Sequence, residues 1–159
     1  MDFLQGLIKN PIFIAAVMGW FVAQVLKLII HFLVNKELVW ERMIGSGGMP
    51  SSHSATVCAL ATATGMQYGS GSFEFAIAII MAIIVMHDAM GVRRETGIQA
   101  KVLNEMMELF RGMGTKMSKE DKLKEFVGHT PPQVWMGALL GIITGFITCQ
   151  LMNGGFKMF

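Results

Sequence analysis

The chain has 159 residues, 53% of them apolar and 15% charged, with a formal charge of +2 and a mean hydropathy of +0.52. Soluble domains usually carry about 25% charged residues, so this balance points to one small integral membrane domain over residues 1–159 with no separate soluble module. Basic residues mixed with acids, and a lone tyrosine at Tyr68, give no support for nucleic acid as a partner.

Residues 1–10 form a short, weakly amphipathic lead, and Asn10 followed by Pro11 suits a helix start. From Ile12 to Val34 the sequence is apolar except for Gln24, Lys27 and His31. That run is long enough to cross a bilayer with some tilt. It exceeds a signal-peptide core and lacks a convincing processing site, so it is expected to be a retained span. Gln24, Lys27 and His31 share one helix face. A lysine inside a span should face protein or a water-filled cavity, and here contact with an anion is favoured over snorkelling toward headgroups.

A charged loop follows over residues 35–50, with Lys36, Glu37, Glu41 and Arg42, part of which fits a short helix. It runs into Gly47-Gly48-Met49-Pro50-Ser51-Ser52-His53-Ser54. Glycines make this backbone permissive, and Ser51 or Ser52 is positioned to cap the next helix. The free amides of a first helical turn attract anions. The stretch is therefore a candidate phosphate cradle with a titratable group, His53, built in. Its plain alternative is a loop-to-helix turn bearing a surface histidine. The second span extends to about Tyr68 and is rich in Ala55, Ala59, Ala61, Ala63 and Gly65, which permits close helix contact. It is slightly short for a full crossing, so its start is expected to be recessed.

After the Gly69–Ser72 turn, a third span covers Phe73 to about Met90, with His87 and Asp88 near its end. The charged segment Gly91–Gly97 carries Arg93 and Arg94 and leads to an amphipathic helix with Ile98, Val102, Met106, Leu109 and Phe110 at helical intervals. Such a helix would lie along the membrane interface or cover the protein. Gly112 and Gly114 end it, and Ser118 with Asp121 resembles a capping box for a further short helix reaching Val127. The last span follows Gly128-His129-Thr130-Pro131-Pro132-Gln133, with Thr130 as cap and Pro131 in first position. Gly137, Gly141 and Gly145 then line one face, implying tight packing on another helix.

The expected fold is thus all-α, a polytopic membrane bundle of about four transmembrane helices with a cytoplasmic amphipathic helical loop. Positive residues concentrate in residues 35–50 and 91–130, leaving only Lys9 and Lys157 opposite. The positive-inside rule puts those loops in the cytoplasm and both termini outside, across an inner or plasma membrane. His53, His87, Asp88, Arg93, Arg94 and His129 then share one face. Two histidines at helix starts beside guanidiniums suit phosphoryl transfer without a metal: one imidazole attacks phosphorus and the other protonates the leaving oxygen. Arginines would hold the phosphoryl oxygens in bidentate fashion. His53, His87, Asp88 and His129 are competent metal ligands, but no ligand spacing of known pattern is present. Cys58 and Cys149 are isolated and offer neither a metal set nor a disulfide framework. No cofactor is expected.

These segments resemble the divergent branch of the type 2 phosphatidic acid phosphatase superfamily, related to vanadium haloperoxidases and bacterial acid phosphatases. The resemblance rests on Gly47–Ala55, on Asp88-Ala89-Met90-Gly91-Val92-Arg93-Arg94 with Gly97, Gln99 and Ala100, and on Gly128–Pro131 with Gln133 and Val134. It implies that Pro50-Ser51-Ser52-His53 matches the Pro-Ser-Gly-His signature except at the glycine, making His53 the general acid. His129 corresponds to the nucleophile, and Gln133 stands where an aspartate would orient it. Asp88 is a candidate substitute for that carboxylate. The superfamily's lysine and arginine signatures have only displaced counterparts in Lys27, Arg42, Arg93 and Arg94; with Ser51 and Ser52 these make up the candidate phosphate-binding set. The implied activity is hydrolysis of a lipid-linked phosphate monoester or diphosphate through a phosphohistidine. A non-catalytic protein that binds or helps transport an anionic ligand is the alternative, and a small assembly subunit a third. Membrane lipids, and further copies of the chain in a homo-oligomer, are the expected partners.

Overall fold

The computed structural model describes residues 3–36, 48–113, 123 and 127–154. Six helices follow in order: α1 (Phe3–Ile8), α2 (Pro11–Asn35), α3 (Ser52–Tyr68), α4 (Phe73–Met90), α5 (Val92–Gly112) and α6 (Pro131–Met152). No strand occurs among the described residues. Helix starts follow the capping rules: the Asn10 side chain accepts from the amides of Ile12 and Phe13, and that of Ser72 accepts from Phe75. Helix α2, the stretch Phe73–Gly112 containing α4, and α6 are each long and apolar enough to cross a membrane. Helix α3 is shorter, at 17 residues, and lies at the centre of the bundle.

Small side chains make α3 the hub. Ala55, Ala59 and Ala63 are fully buried, and α2, α4 and α6 all pack against it. Gly137, Gly141 and Gly145 of α6 face the backbone of Ser51, Ala55 and Ala59 in turn, so a Cβ at any of the three would collide with a main-chain carbonyl. The register advances in step along both helices; α3 and α6 are therefore parallel, with their N-termini at the same end. On the other side, Gly19 of α2 meets Ala55 and Ala59, while Ala15 packs with Ala63 and Cys149. Helix α2 thus runs antiparallel to both. Where side chains are this small, backbones come into contact and dispersion is gathered over the full helix length. The hydroxyls of Thr56, Thr62, Thr64 and Thr144 donate to carbonyls in the preceding turn, which satisfies them without water.

One sequence expectation changes at the end of α4. The charged segment after Gly91 is not a loop: helix restarts at Val92, so Arg93 and Arg94 belong to the first turn of α5. Gly91, at φ −98° and ψ −96°, makes the break alone. Farther along, Asn104 is buried, and its side-chain amide both donates to the Leu123 carbonyl and accepts from the Leu123 amide, each at 2.9 Å. Leu123 is thereby held against α5. The short helix expected after Ser118 and the one expected within residues 35–47 lie outside the described residues.

Candidate functional site

Parallel packing of α3 and α6 brings their N-termini side by side. The Ser51 amide donates to the Gln133 carbonyl at 3.0 Å, stitching the two starts together. The preceding residues are held from α4 and α5. The His129 amide donates to the Ala89 carbonyl at 3.0 Å. Gly128, at φ +87°, lies directly on the backbone of Arg93 and Arg94, where no side chain would fit. These contacts set the rings of His53 and His129 with centroids 5.9 Å apart at 62°, edge to face.

The Gln133 side chain bears on the tautomer of His129. The Gln133 side-chain oxygen accepts from the Thr130 amide at 3.1 Å, so that atom is the oxygen and not the nitrogen of the carboxamide. The same oxygen lies 3.3 Å from His129 Nδ1. Because an amide oxygen only accepts, a hydrogen bond at this contact places the hydrogen on Nδ1, the tautomer that leaves the lone pair on Nε2. His129 is 2% exposed, and its Nε2 is buried with no well-formed hydrogen bond among the described residues. Burial pushes the imidazole down to about 4; the bond it donates to Gln133 opposes this, Lys27 and His53 reinforce it, and the nearby Gly48 backbone opposes it. His129 is therefore neutral at physiological pH. His53 Nδ1 is likewise buried without a hydrogen-bond partner among the described residues.

Lys27 reaches the site from α2. It is 3% exposed, and its ammonium donates to Gln24 Oε1 at 2.8 Å. Its aliphatic stem passes Gly48, whose φ of +94° and lack of a side chain leave room for it. The charge of Lys27 acts on both imidazoles. Arg93 and Asp88 act on His53, with Arg93 the stronger of the two.

Among the residues named from sequence, His53, His129, Gln133 and Lys27 converge. Asp88 does not take up the place beside His129; its carboxylate accepts from Arg93 Nε at 2.6 Å, near His53. Ser51 is the cap of α3, and its hydroxyl is engaged by the Ser54 amide and hydroxyl at 3.4 and 3.1 Å. Ser52 is buried in the first turn. Arg94 contributes backbone against Gly128 while its side chain is exposed. Arg42 lies outside the described residues. No three His, Cys, Asp or Glu side chains among the described residues cluster as metal ligands would. Sequence reasoning did not anticipate the Ala89 carbonyl, since a main-chain acceptor leaves no residue-type signal. Gly48 did leave one, as a glycine beside a charged loop.

A parallel helix pair, embedded among long apolar helices and ending in one buried imidazole, one half-buried imidazole and a buried lysine, defines a helical membrane protein with a preformed polar site at one end. The chain belongs to the Divergent PAP2 family, whose pattern matches residues 8–144. It is similar to the uncharacterized membrane protein YuiD of Bacillus subtilis (strain 168), with 42% identity over 130 residues, covering 76% of this chain and 82% of that protein. No solved structure matches the chain.

Proposed function

We propose that the protein is a membrane phosphatase that hydrolyses a lipid-linked phosphate monoester or diphosphate at the cytoplasmic interface without a metal. The observation that carries this reading is the pair of imidazoles at 5.9 Å, each with a buried nitrogen lacking a partner among the described residues. In the proposed reaction His129 Nε2 attacks phosphorus and the bond from phosphorus to the leaving oxygen breaks. His53 gives its proton to that oxygen, and water then cleaves the phosphorus–nitrogen bond. Lys27 and Arg93 offset the charge on the phosphoryl oxygens. Family membership supports the same reading.

Purified protein assayed for phosphate release from a panel of lipid phosphates and diphosphates tests it. His129→Ala is expected to abolish release, and His53→Ala to slow it by about 10²–10⁴-fold. Equal activity of wild type and both variants defeats the assignment.

One observation favours a second reading. Gln133 orients His129 but supplies no negative charge to stabilise an imidazolium or phosphoimidazole, as a carboxylate would. A protein that binds a phosphate headgroup without turnover would show saturable binding and no release.

A further inference from the structure

Helix α5 presents two opposed faces. One carries Gly97, Ala100 and Asn104, all buried, with Asn104 fastened to Leu123. Lys101, Glu105, Glu108 and Arg111 fall on or beside that side by helical spacing. The opposite arc carries Ile98, Val102, Leu103, Met106, Leu109 and Phe110, which are 45–70% exposed. From Ile98 to Met113 this arc holds no charged residue. An ordinary soluble helix buries its apolar stripe against its own protein. Here the protein's own chain covers the narrow polar and small-residue side instead.

The chain itself says where that arc lies. Helix α4 has 18 residues, about 27 Å of helix, close to the roughly 30 Å hydrocarbon thickness. Its outer face, with Ile77, Ile80 and Ile84, is apolar and exposed. Helix α5 starts two residues after α4 ends, across the break at Gly91. Its first turn therefore stands at the membrane boundary, and a 21-residue helix directed into water would carry the bare arc with it.

We infer that α5 is an in-plane interfacial helix whose Ile98–Phe110 arc is seated in the lipid bilayer surface. Its apolar side chains enter the headgroup–acyl boundary by about 5–10 Å. Leu123, held on the opposite side by Asn104, then lies toward the aqueous side. Since Arg93 and Gly128 join α5 to the histidine pair, the same seating sets that pair at headgroup depth. The inference rests on the arc and the connectivity, and holds whether or not the site turns over a substrate.

The test uses the full chain in phosphatidylcholine nanodiscs, with single spin labels at Met106→Cys, Leu109→Cys, Lys101→Cys and Glu108→Cys. The two native cysteines are buried. Labels at 106 and 109 are expected to be several-fold more accessible to oxygen than to an aqueous nickel reagent, and labels at 101 and 108 the reverse. Equal access of the aqueous reagent to all four overturns the proposal. So does dipolar coupling at 106 between copies that protects the arc, which would assign it to a second copy of the chain. Because labelling at an apolar position disturbs folding more readily, native-protein bromolipid quenching of a Phe110→Trp variant, in a background lacking the other tryptophans, is the second measurement. Strong quenching is expected, and no quenching overturns the proposal.

Discussion

The seam between α3 and α6 and the site at its end lie within a few turns of each other and follow opposite rules. Along the seam, glycines meet carbonyls and every interior hydroxyl named above has an acceptor. At the end, one nitrogen of each of two imidazoles is buried without a hydrogen-bond partner among the described residues, beside the buried Lys27. Unpaired buried polar groups ordinarily cost about 1–3 kcal/mol each. The contrast teaches that the closely packed seam fixes where the polar groups at its end stand.

The strongest way to break this contrast is to widen the seam. Gly141→Val sets a branched side chain on the Ala55 carbonyl and should cost about 3 kcal/mol or more, the upper range for overpacking. Thermal unfolding in detergent reads it, and an unchanged midpoint would mean that α3 and α6 are not in backbone contact. At the site itself, Gln133→Leu removes the acceptor for both Thr130 N–H and His129 Nδ1. A loss of about 1–2 kcal/mol is expected, together with reduced phosphate release and a proton no longer confined to Nδ1 in nitrogen-15 spectra.

Acid sharpens the contrast through one group. The ordinary histidine value is about 6.5, and the folded value for His129 is about 4. Between those values the unfolded chain takes up the proton and the folded one does not. The contribution of His129 to stability is therefore complete above about 6.5 and is lost as pH falls toward about 4. Denaturation midpoints at neutral pH and across this window should show that slope, and His129→Asn should flatten it. A slope identical in the two proteins would show that His129 is not held neutral. The smallest effect is expected at Asp88 and Arg93, a half-exposed pair whose side chains are 37% and 46% accessible. Arg93→Ala should lower stability by at most about 1 kcal/mol. Any larger consequence should appear in phosphate release, since Arg93 acts on His53.

Legibility in the sequence follows the reach of each interaction. Gly137, Gly141 and Gly145 announced a contact face because four-residue periodicity is local, and Ser51, Thr130 and Pro131 announced two helix starts for the same reason. The partner of that glycine face, and the parallel register that joins the two starts, depend on residues far apart in the chain. Arg93, Arg94 and Glu95 read by charge as a segment leading to the amphipathic helix, although all three are compatible with its first turn, where α5 holds them. Asp88 was a reasonable substitute for the missing carboxylate on composition alone. Only three dimensions reveal that Arg93 already occupies it.

The double duty of the Gln133 oxygen has a stereochemical outcome. With Nδ1 committed to carrying hydrogen, an electrophile that reaches this ring finds a single basic nitrogen, so any covalent adduct should form as one regioisomer, on Nε2. Replacing Gln133 would let both nitrogens compete, and the ratio of the two adducts would then report how firmly that amide governs the ring.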